Sequence, residues 1–164
     1  MTLFDPATIG RERGDAAALA ACEEVAVAFC ELLDLGDAAA TFALHADDLA
    51  FYPPGADEPL PRAAAEAAAR RMLGSYTGRR TAHVLGNFIG RRVAEDRVEA
   101  QYVVTVYELT RNVGGVAEER ETPLLFGLAH ERVVFRRELD GAWRYIEQRM
   151  VPIAPLDPFA GERR

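Results

Sequence analysis

The spacing of apolar residues changes along the chain, from a helical period in the first half to an alternating period in the second. The helical period predicts three helices, over residues 16–33, 38–45 and 62–76. Asp15 and Asp37 precede the first two helices, where a carboxylate can accept hydrogen bonds from free backbone N–H groups. The first helix is expected to end at Asp34 to Gly36, because glycine readily takes the left-handed conformation that closes a helix.

The second half of the chain has the alternating pattern of β-strands. A short strand is predicted at residues 49–52, and four long strands follow at residues 81–93, 98–110, 123–139 and 142–152. The linkers between the long strands are short, and Asp140–Gly141 is a strong signal for a tight hairpin. Consecutive strands joined by short turns form a mostly antiparallel sheet. The sequence therefore predicts an α+β fold in which three N-terminal helices pack on a bent sheet.

Two stretches of the predicted strands are apolar on both faces. Residues 102–107 and 124–126 place apolar side chains at odd and even positions alike, whereas a sheet with one solvated face alternates between apolar and polar residues. One face is expected to be covered by the helices and the other by the tail or by a partner. We therefore expect a homodimer formed through the outer face of the sheet.

In length and composition the chain is an ordinary globular domain, with 164 residues of which 49% are hydrophobic and 27% charged. We expect one domain over residues 15–152, between an N-terminal arm (residues 1–14) and a proline-containing tail (residues 153–164). All 19 basic residues are arginine and the net charge is −7, which disfavours nucleic-acid binding because phosphate contacts need a basic surface. No apolar run is long enough to span a membrane and no signal peptide is recognisable, so a cytoplasmic location is expected.

The motifs of several common enzyme classes are absent from the sequence. It contains no glycine-rich phosphate loop, no nucleophile elbow, no lysine for Schiff-base chemistry and no histidine pair at metal-ligand spacing. Cys22 and Cys30 lie eight residues apart on one predicted helix, about 12 Å along its axis, too far for a disulfide. We expect free thiols that serve packing, no metal and no organic cofactor. The remaining possibilities are acid/base catalysis by side chains and binding without catalysis.

His83 and Asp34 are the strongest candidates for acid/base chemistry. His83 shares one face of its strand with Asn87 and with aliphatic residues, so it is expected to point into an apolar interior, where an imidazole can move protons near neutral pH. The alternative is a core histidine bonded to a backbone carbonyl or to Asn87. Asp34 lies at the end of the first helix, where the helix dipole disfavours a negative charge, so helix stability does not explain it. Its alternative is a solvated turn residue.

Other polar residues are candidates for lining the same interior. Tyr102 and Glu108 share one strand face, and His130 shares the parity of Leu128 on the next strand. Asp48 precedes the short strand closely enough to reach a cavity mouth. His45 is expected to end the second helix, where a cation is favoured.

Four segments in this order resemble the NTF2-like superfamily, in its SnoaL-like branch: residues 33–37 (LDLGD), 46–51 (ADDLAF), 80–87 (RTAHVLGN) and 140–144 (DGAWR). The resemblance covers residues 15–152 and is closest to scytalone dehydratase and to the small subunits of ring-hydroxylating dioxygenases. It implies a cone-shaped fold, with a bent sheet wrapped around a long helix and an apolar pocket that opens at one end.

The resemblance also assigns roles to individual residues. Asp34 and His83 match the aspartate and histidine that serve acid/base catalysis in the dehydratase, and Tyr52 matches a tyrosine after the short strand. Two positions depart from the pattern. Leu33 stands where the dehydratase has a tyrosine, and the second catalytic histidine of the dehydratase is replaced near Glu108.

Two functions follow. The first is a cofactor-independent acid/base enzyme, of dehydratase, isomerase or cyclase type, that acts on a small, mostly apolar oxygenated ring compound. His83, held by Asp34 or Asn87, would move a proton next to a carbonyl, and Tyr52 would donate to the developing oxyanion. The alternative is a non-catalytic module that binds small molecules or holds an assembly together, as dioxygenase small subunits do. A third possibility is epoxide opening by a carboxylate pair bridged by arginine, but no such triad can be located in the sequence.

Overall fold

A computed structural model describes residues 15–75, 80–113 and 116–154 of the chain. The helices are α1 (Ala16–Asp34), α2 (Ala38–Ala43) and α3 (Arg62–Ser75). The strands are β1 (His45–Tyr52), β2 (Leu60–Pro61), β3 (Thr81–Ala94), β4 (Arg97–Val113), β5 (Val116–Arg137) and β6 (Trp143–Ala154). The predicted α+β class is confirmed. The expected arm, most of the expected tail and the expected helix end at Tyr76 lie outside the described residues.

The strands form one curled sheet of six strands in the order β2-β1-β6-β5-β4-β3. The four long strands are antiparallel to one another, as predicted, and β1 runs parallel to β6. Helix α1 lies against the inner face, and a Cβ atom at Gly90 of β3 would sit 2.9 Å from Cδ2 of Leu19. A side chain at position 90 would therefore force the Leu19 side chain to shift.

The core lies between α1 and the inner face of the sheet. Helix α1 contributes Cys22, Ala26 and Cys30, and the central strands contribute aromatic and aliphatic side chains such as Tyr102 and Phe135. Both cysteines are free, as expected, and burial raises the pKa of each thiol to about 12. Protonated, enclosed thiols are poor nucleophiles, so these residues serve packing.

The end of α1 is closed by a glycine motif. Gly36 has φ +72°, its N–H donates to the Leu33 carbonyl, and the Asp37 N–H donates to the Leu32 carbonyl. Asp37 then caps α2 by accepting a 2.9 Å hydrogen bond from the Ala40 N–H. Asp15, expected to cap α1, makes no such hydrogen bond.

The segment after α2 differs from the sequence prediction. His45 was expected to end the helix but is the first residue of β1, and only 2% of it is exposed. Asp47 and Asp48, expected in a turn, lie within the same strand with their side chains exposed. Aromatic contacts explain the change: the His45 ring stacks on Phe42 and Tyr145, with centroids 4.8 and 5.0 Å away, and this packing outweighs local helix preference.

Irregularities in the sheet change which side chains face inward. The pairing of β3 with β4 shifts register between Gly86 and Ile89, and Asn87 at the shift has φ +54°. The pairing of β4 with β5 shifts between Val106 and Tyr107. Because side chains alternate strictly along a strand, each extra residue reverses the faces beyond it.

Candidate functional site

A histidine and an aspartate meet where α1 ends beside β3. Nδ1 of His83 lies 2.6 Å from Oδ1 of Asp34, and the backbone N–H of His83 donates to Oδ2 at 2.7 Å. The Thr81 hydroxyl also donates to Oδ1, at 2.9 Å. Both side chains are partly buried, with 18% of His83 and 24% of Asp34 exposed. We call this pair the dyad.

The local sequence explains why the dyad forms. Asp34 is the last residue of α1, and the glycine motif that closes the helix turns the chain away immediately after it. The carboxylate sits at the negative end of the helix dipole, and the three hydrogen bonds from β3 offset that unfavourable placement.

The dyad fixes which ring nitrogen of His83 is available. A carboxylate accepts hydrogen bonds, so the neutral imidazole carries its proton on Nδ1 and donates it to Asp34. Nε2 then has its lone pair free, and no described residue hydrogen-bonds to it. A carboxylate that holds one nitrogen and leaves the other open is the arrangement that general acid/base catalysis requires.

Glu108 and Arg120 form an ion pair next to the dyad. Nη2 of Arg120 donates to Oε2 of Glu108 at 2.6 Å, and only 8% of the Glu108 side chain is exposed. Glu108 is the register partner of Thr81 across β3 and β4, and directly opposed side chains lie on the same face of a sheet. The structure thus brings together three predicted residues, Asp34, His83 and Glu108.

Tyr102 faces inward, as predicted, but lies deeper in the core, with 1% of it exposed. Its hydroxyl is 3.0 Å from that of Tyr145, and its ring stacks on Phe88 at 5.9 Å. Burial raises the pKa of both phenols, so they stay protonated. No described contact joins this tyrosine pair to the dyad.

The register shifts remove two predicted residues from the interior. Asn87 is exposed, because the irregularity at Gly86 turns it outward and gives the inner position to Phe88. His130 is also exposed, whereas its neighbours Ala129 and Glu131 are buried. The expectation that these two residues share the interior with His83 was wrong.

Asp48 and Tyr52 were also expected at the pocket, and both lie elsewhere. Asp48 is exposed and forms two hydrogen bonds with Arg136, at 2.8 and 2.9 Å. Tyr52 is the register partner of Arg149, whose Cζ lies 3.5 Å from the centre of the tyrosine ring. Since the preceding residue, Phe51, packs on the core, alternation puts Tyr52 on the opposite face of the sheet. Tyr52 therefore does not accompany the dyad.

Glu131 is an inward-facing carboxyl that the sequence analysis missed. It is 1% exposed, and its one described hydrogen bond is a 3.4 Å contact from Nε2 of Gln148. Burial raises the pKa of Glu131 to about 8, an effect that the Gln148 contact only partly offsets. The signal was present in the sequence, because Glu131 shares its parity with the apolar residues Ala129, Val133 and Phe135.

Gln148 connects Glu131 to His45. Nε2 of His45 lies 3.1 Å from Oε1 of Gln148, and Nδ1 lies 3.2 Å from the Thr41 carbonyl. Burial lowers the pKa of His45 to about 4, so at neutral pH the ring has a single N–H. A neutral His45 that donates from Nδ1 must accept at Nε2, which requires the two ends of the Gln148 amide to exchange places. The amide oxygen then accepts a hydrogen bond from protonated Glu131, and the amide NH₂ donates to Nε2 of His45. Every donor in this chain then faces an acceptor.

No group of three or more His, Cys, Asp and Glu residues in residues 15–75, 80–113 and 116–154 can hold a metal ion. Within the same ranges, no helix is long and apolar enough to cross a membrane. Two surface depressions, of about 380 and 310 Å³, lie beside Arg92 and beside Trp143, and neither is lined by the dyad. The polar side chains, rather than these depressions, mark the site.

Known proteins share this fold. The chain resembles a candidate scytalone dehydratase from Novosphingobium aromaticivorans (15% identity, 85% of this chain and 87% of that one, TM-score 0.68). It also resembles ActVI-ORFA from Streptomyces coelicolor (15% identity, 83% and 98%, TM-score 0.69). A Catenulispora acidiphila protein in complex with S-DNPA is similar too (15% identity, 84% and 94%, TM-score 0.69).

At such identities these likenesses concern the fold alone. No curated protein sequence matches the chain. The sequence profile of the SnoaL-like domain, however, matches residues 15–149, which is most of the chain. The chain therefore belongs to the SnoaL-like domain family of the NTF2-like superfamily.

Proposed function

We propose that the protein is an acid/base enzyme that moves a proton next to a carbonyl group of a small, mostly apolar oxygenated ring compound. The observation that carries this proposal is the 2.6 Å contact between Asp34 and His83, which leaves Nε2 of His83 open. Two likenesses favour the same class of chemistry. The sequence resembles scytalone dehydratase, and a candidate scytalone dehydratase is among the structural neighbours of the chain.

In the proposed reaction, Nε2 of His83 accepts the proton from the carbon next to the carbonyl. The Asp34 carboxylate stabilises the imidazolium that forms, as a carboxylate does for any catalytic histidine that it orients. The imidazolium then returns the proton, either to another carbon of the ring, which isomerises the substrate, or to a departing hydroxyl, which dehydrates it. Thr81 and the His83 backbone N–H keep Asp34 in place during both steps.

Hydrogen–deuterium exchange tests the proton abstraction without requiring the natural substrate. We expect the wild-type protein to accelerate exchange of the protons next to the carbonyl of 2-tetralone in D₂O, followed by NMR. His83→Ala should slow the enzymatic exchange by about 10²–10⁴-fold, the usual contribution of an acid/base residue. His130→Ala is the matched control, because that histidine is exposed on the next strand but one and should leave the rate unchanged.

Two outcomes would contradict the proposal. One is a His83→Ala rate within about threefold of the wild-type rate, well below the contribution of an acid/base residue. The other is wild-type exchange no faster than in buffer. Circular dichroism of both variants would show whether a lost rate reflects lost folding.

The outer face of the sheet supports a homodimer as the assembly. Val84 and Leu125 are 51% and 54% exposed. Val84 is paired with Thr105, and Leu125 with the partly buried Tyr107. These side chains form an apolar area on the face opposite the dyad, and such areas commonly mark interfaces. A monomer mass in light scattering at micromolar concentration would overturn this part of the proposal; a dimer lost in Leu125→Glu would support it.

A further inference from the structure

The proposed proton transfer needs a donor for the oxygen of the carbonyl, and the structure leaves that role open. Tyr52, which the resemblance assigned to it, lies on the opposite face of the sheet against Arg149. When a proton leaves the carbon next to a carbonyl, negative charge develops on the oxygen. A positioned donor at that oxygen is typically among the largest contributors to the rate.

Arg120 has an N–H group with no partner. Its Nε atom is buried and is the only buried side-chain nitrogen or oxygen in the described part of the chain that forms no hydrogen bond. The same guanidinium donates through Nη2 to Glu108 at 2.6 Å, while its Nε–H forms no hydrogen bond. A buried, unpaired N–H of a charged group is costly unless a ligand or water completes it.

The sheet register places the carboxylate that holds Arg120 opposite Thr81, which itself contacts the dyad. Glu108, which holds Arg120, is the register partner of Thr81, and Thr81 donates to the same Asp34 oxygen that contacts His83. Opposed side chains of an antiparallel pair have Cβ atoms about 5 Å apart. The Glu108 carboxylate that holds the guanidinium therefore lies on the same face of the sheet as the dyad, beside Thr81.

We propose that Arg120 is the residue that binds the substrate carbonyl oxygen, and that the substrate is an uncharged ketone or aldehyde. This inference rests on the proposed function and specifies its substrate class. As His83 Nε2 takes the proton, the C–H electron pair forms a carbon–carbon double bond and the carbonyl π pair moves to the oxygen. The Arg120 Nε–H stabilises the resulting enolate. Asp34 and Glu108 are negative and Arg120 is positive, so these three side chains together carry a net negative charge, which favours a neutral carbonyl compound over an anionic one.

The infrared carbonyl band of bound 2-tetralone, labelled with ¹³C at the carbonyl, tests the inference. A hydrogen bond from a guanidinium polarises the bond, so the band should move to lower wavenumber in the wild-type complex and return in the double variant Glu108→Gln/Arg120→Gln. Removing both partners avoids leaving a buried charge unpaired. Arg80→Gln is the control, because Arg80, just before β3, forms an exposed ion pair with Glu119 of β5.

Affinity provides the second measurement. Wild type should bind 2-tetralone at least about tenfold more tightly than tetralin, the matching hydrocarbon, since a hydrogen bond from a charged donor contributes at least that much. The double variant should lose this preference, and His83→Ala should keep it. If the preference and the band shift persist in the double variant, or if wild type shows neither, the inference is wrong. If the inference about Arg120 fails but His83→Ala still loses α-proton exchange, the proposed function remains supported.

Discussion

Glu131→Gln replaces a buried carboxyl with an amide of the same shape and is expected to stabilise the protein. Glu131 is 1% exposed and has no cationic partner among the described residues; its one described hydrogen-bond partner is the Gln148 amide. Burial holds its pKa at about 8, against an ordinary value of 4.5. At neutral pH an unfolded chain ionises this carboxyl freely, whereas the folded protein must keep it protonated.

The sign and size of the effect follow from proton linkage. Between pH 4.5 and about 8 the folded state binds more protons at this position than the unfolded state, so the contribution of Glu131 to the free energy of unfolding falls as pH rises through that window. At pH 7 the difference of about 2.5 pH units above the unfolded pKa corresponds to about 3 kcal/mol. Glutamine cannot ionise and avoids this loss, while its NH₂ group still donates to Gln148.

Urea denaturation at several pH values measures the effect. Glu131→Gln and wild type should be similarly stable near pH 4.5, the ordinary value for this carboxyl, and the variant should gain on wild type as pH rises. Glu121→Gln is the matched control, because Glu121 is exposed on the same strand and surface substitutions usually change stability by less than about 0.5 kcal/mol.

The pH dependence is what makes the test decisive. A constant difference between variant and wild type would show that Glu131 titrates alike in both states. A loss of stability in the variant near neutral pH would show that Glu131 is ionised in the folded protein and needed as an anion, for instance opposite a protonated His45. Either result would refute the neutral chain of hydrogen bonds through Gln148.

Three further substitutions test the fold. Asp37→Ala should lower the free energy of unfolding by about 1 kcal/mol through loss of the α2 cap. Asp57→Ala, in an exposed loop, is the control and should leave the free energy of unfolding unchanged. Equal losses in the two variants would argue against the cap. Gly90→Val should cost about 1–3 kcal/mol by crowding the Leu19 side chain between α1 and β3, and Gly86→Val, with no atom within 4 Å of its Cβ position, should cost less. Burial lowers the pKa of His45 to about 4, so the contribution of this histidine to stability falls as pH drops from 6.5 to about 4, opposite in sign to the contribution of Glu131. In urea denaturation His45→Gln should therefore gain on wild type over that range, and a constant difference between the two would assign the titration elsewhere.

Sequence patterns predicted the elements that depend on local chemistry. The end of α1 follows from a glycine after the last apolar residues, and the structure has the expected left-handed Gly36 and the cap at Asp37. Asp34 ends that helix, and His83 lies near the start of β3. No local rule brings two such distant residues together, so only the resemblance indicated that they act as a pair.

Predictions that counted alternate residues failed wherever the sheet is irregular. His130 and Asn87 were assigned inward by parity, and a register shift in each pairing reversed them. The same count hid Glu131. Irregularities of this kind depend on how neighbouring strands pair, which the sequence of one strand does not specify. Arg120 was missed because its partner Glu108 lies on a different strand.

The account depends most on the claim that Asp34 holds the His83 proton on Nδ1 and leaves Nε2 free. Long-range ¹H–¹⁵N NMR of histidine-labelled protein at about pH 8, above the ordinary histidine pKa, identifies the protonated nitrogen of each ring. His83 should have a protonated Nδ1 and a bare Nε2, and Asp34→Ala should remove that preference. A wild-type His83 with its proton on Nε2 would contradict the claim, since that nitrogen could not then accept a proton from a substrate.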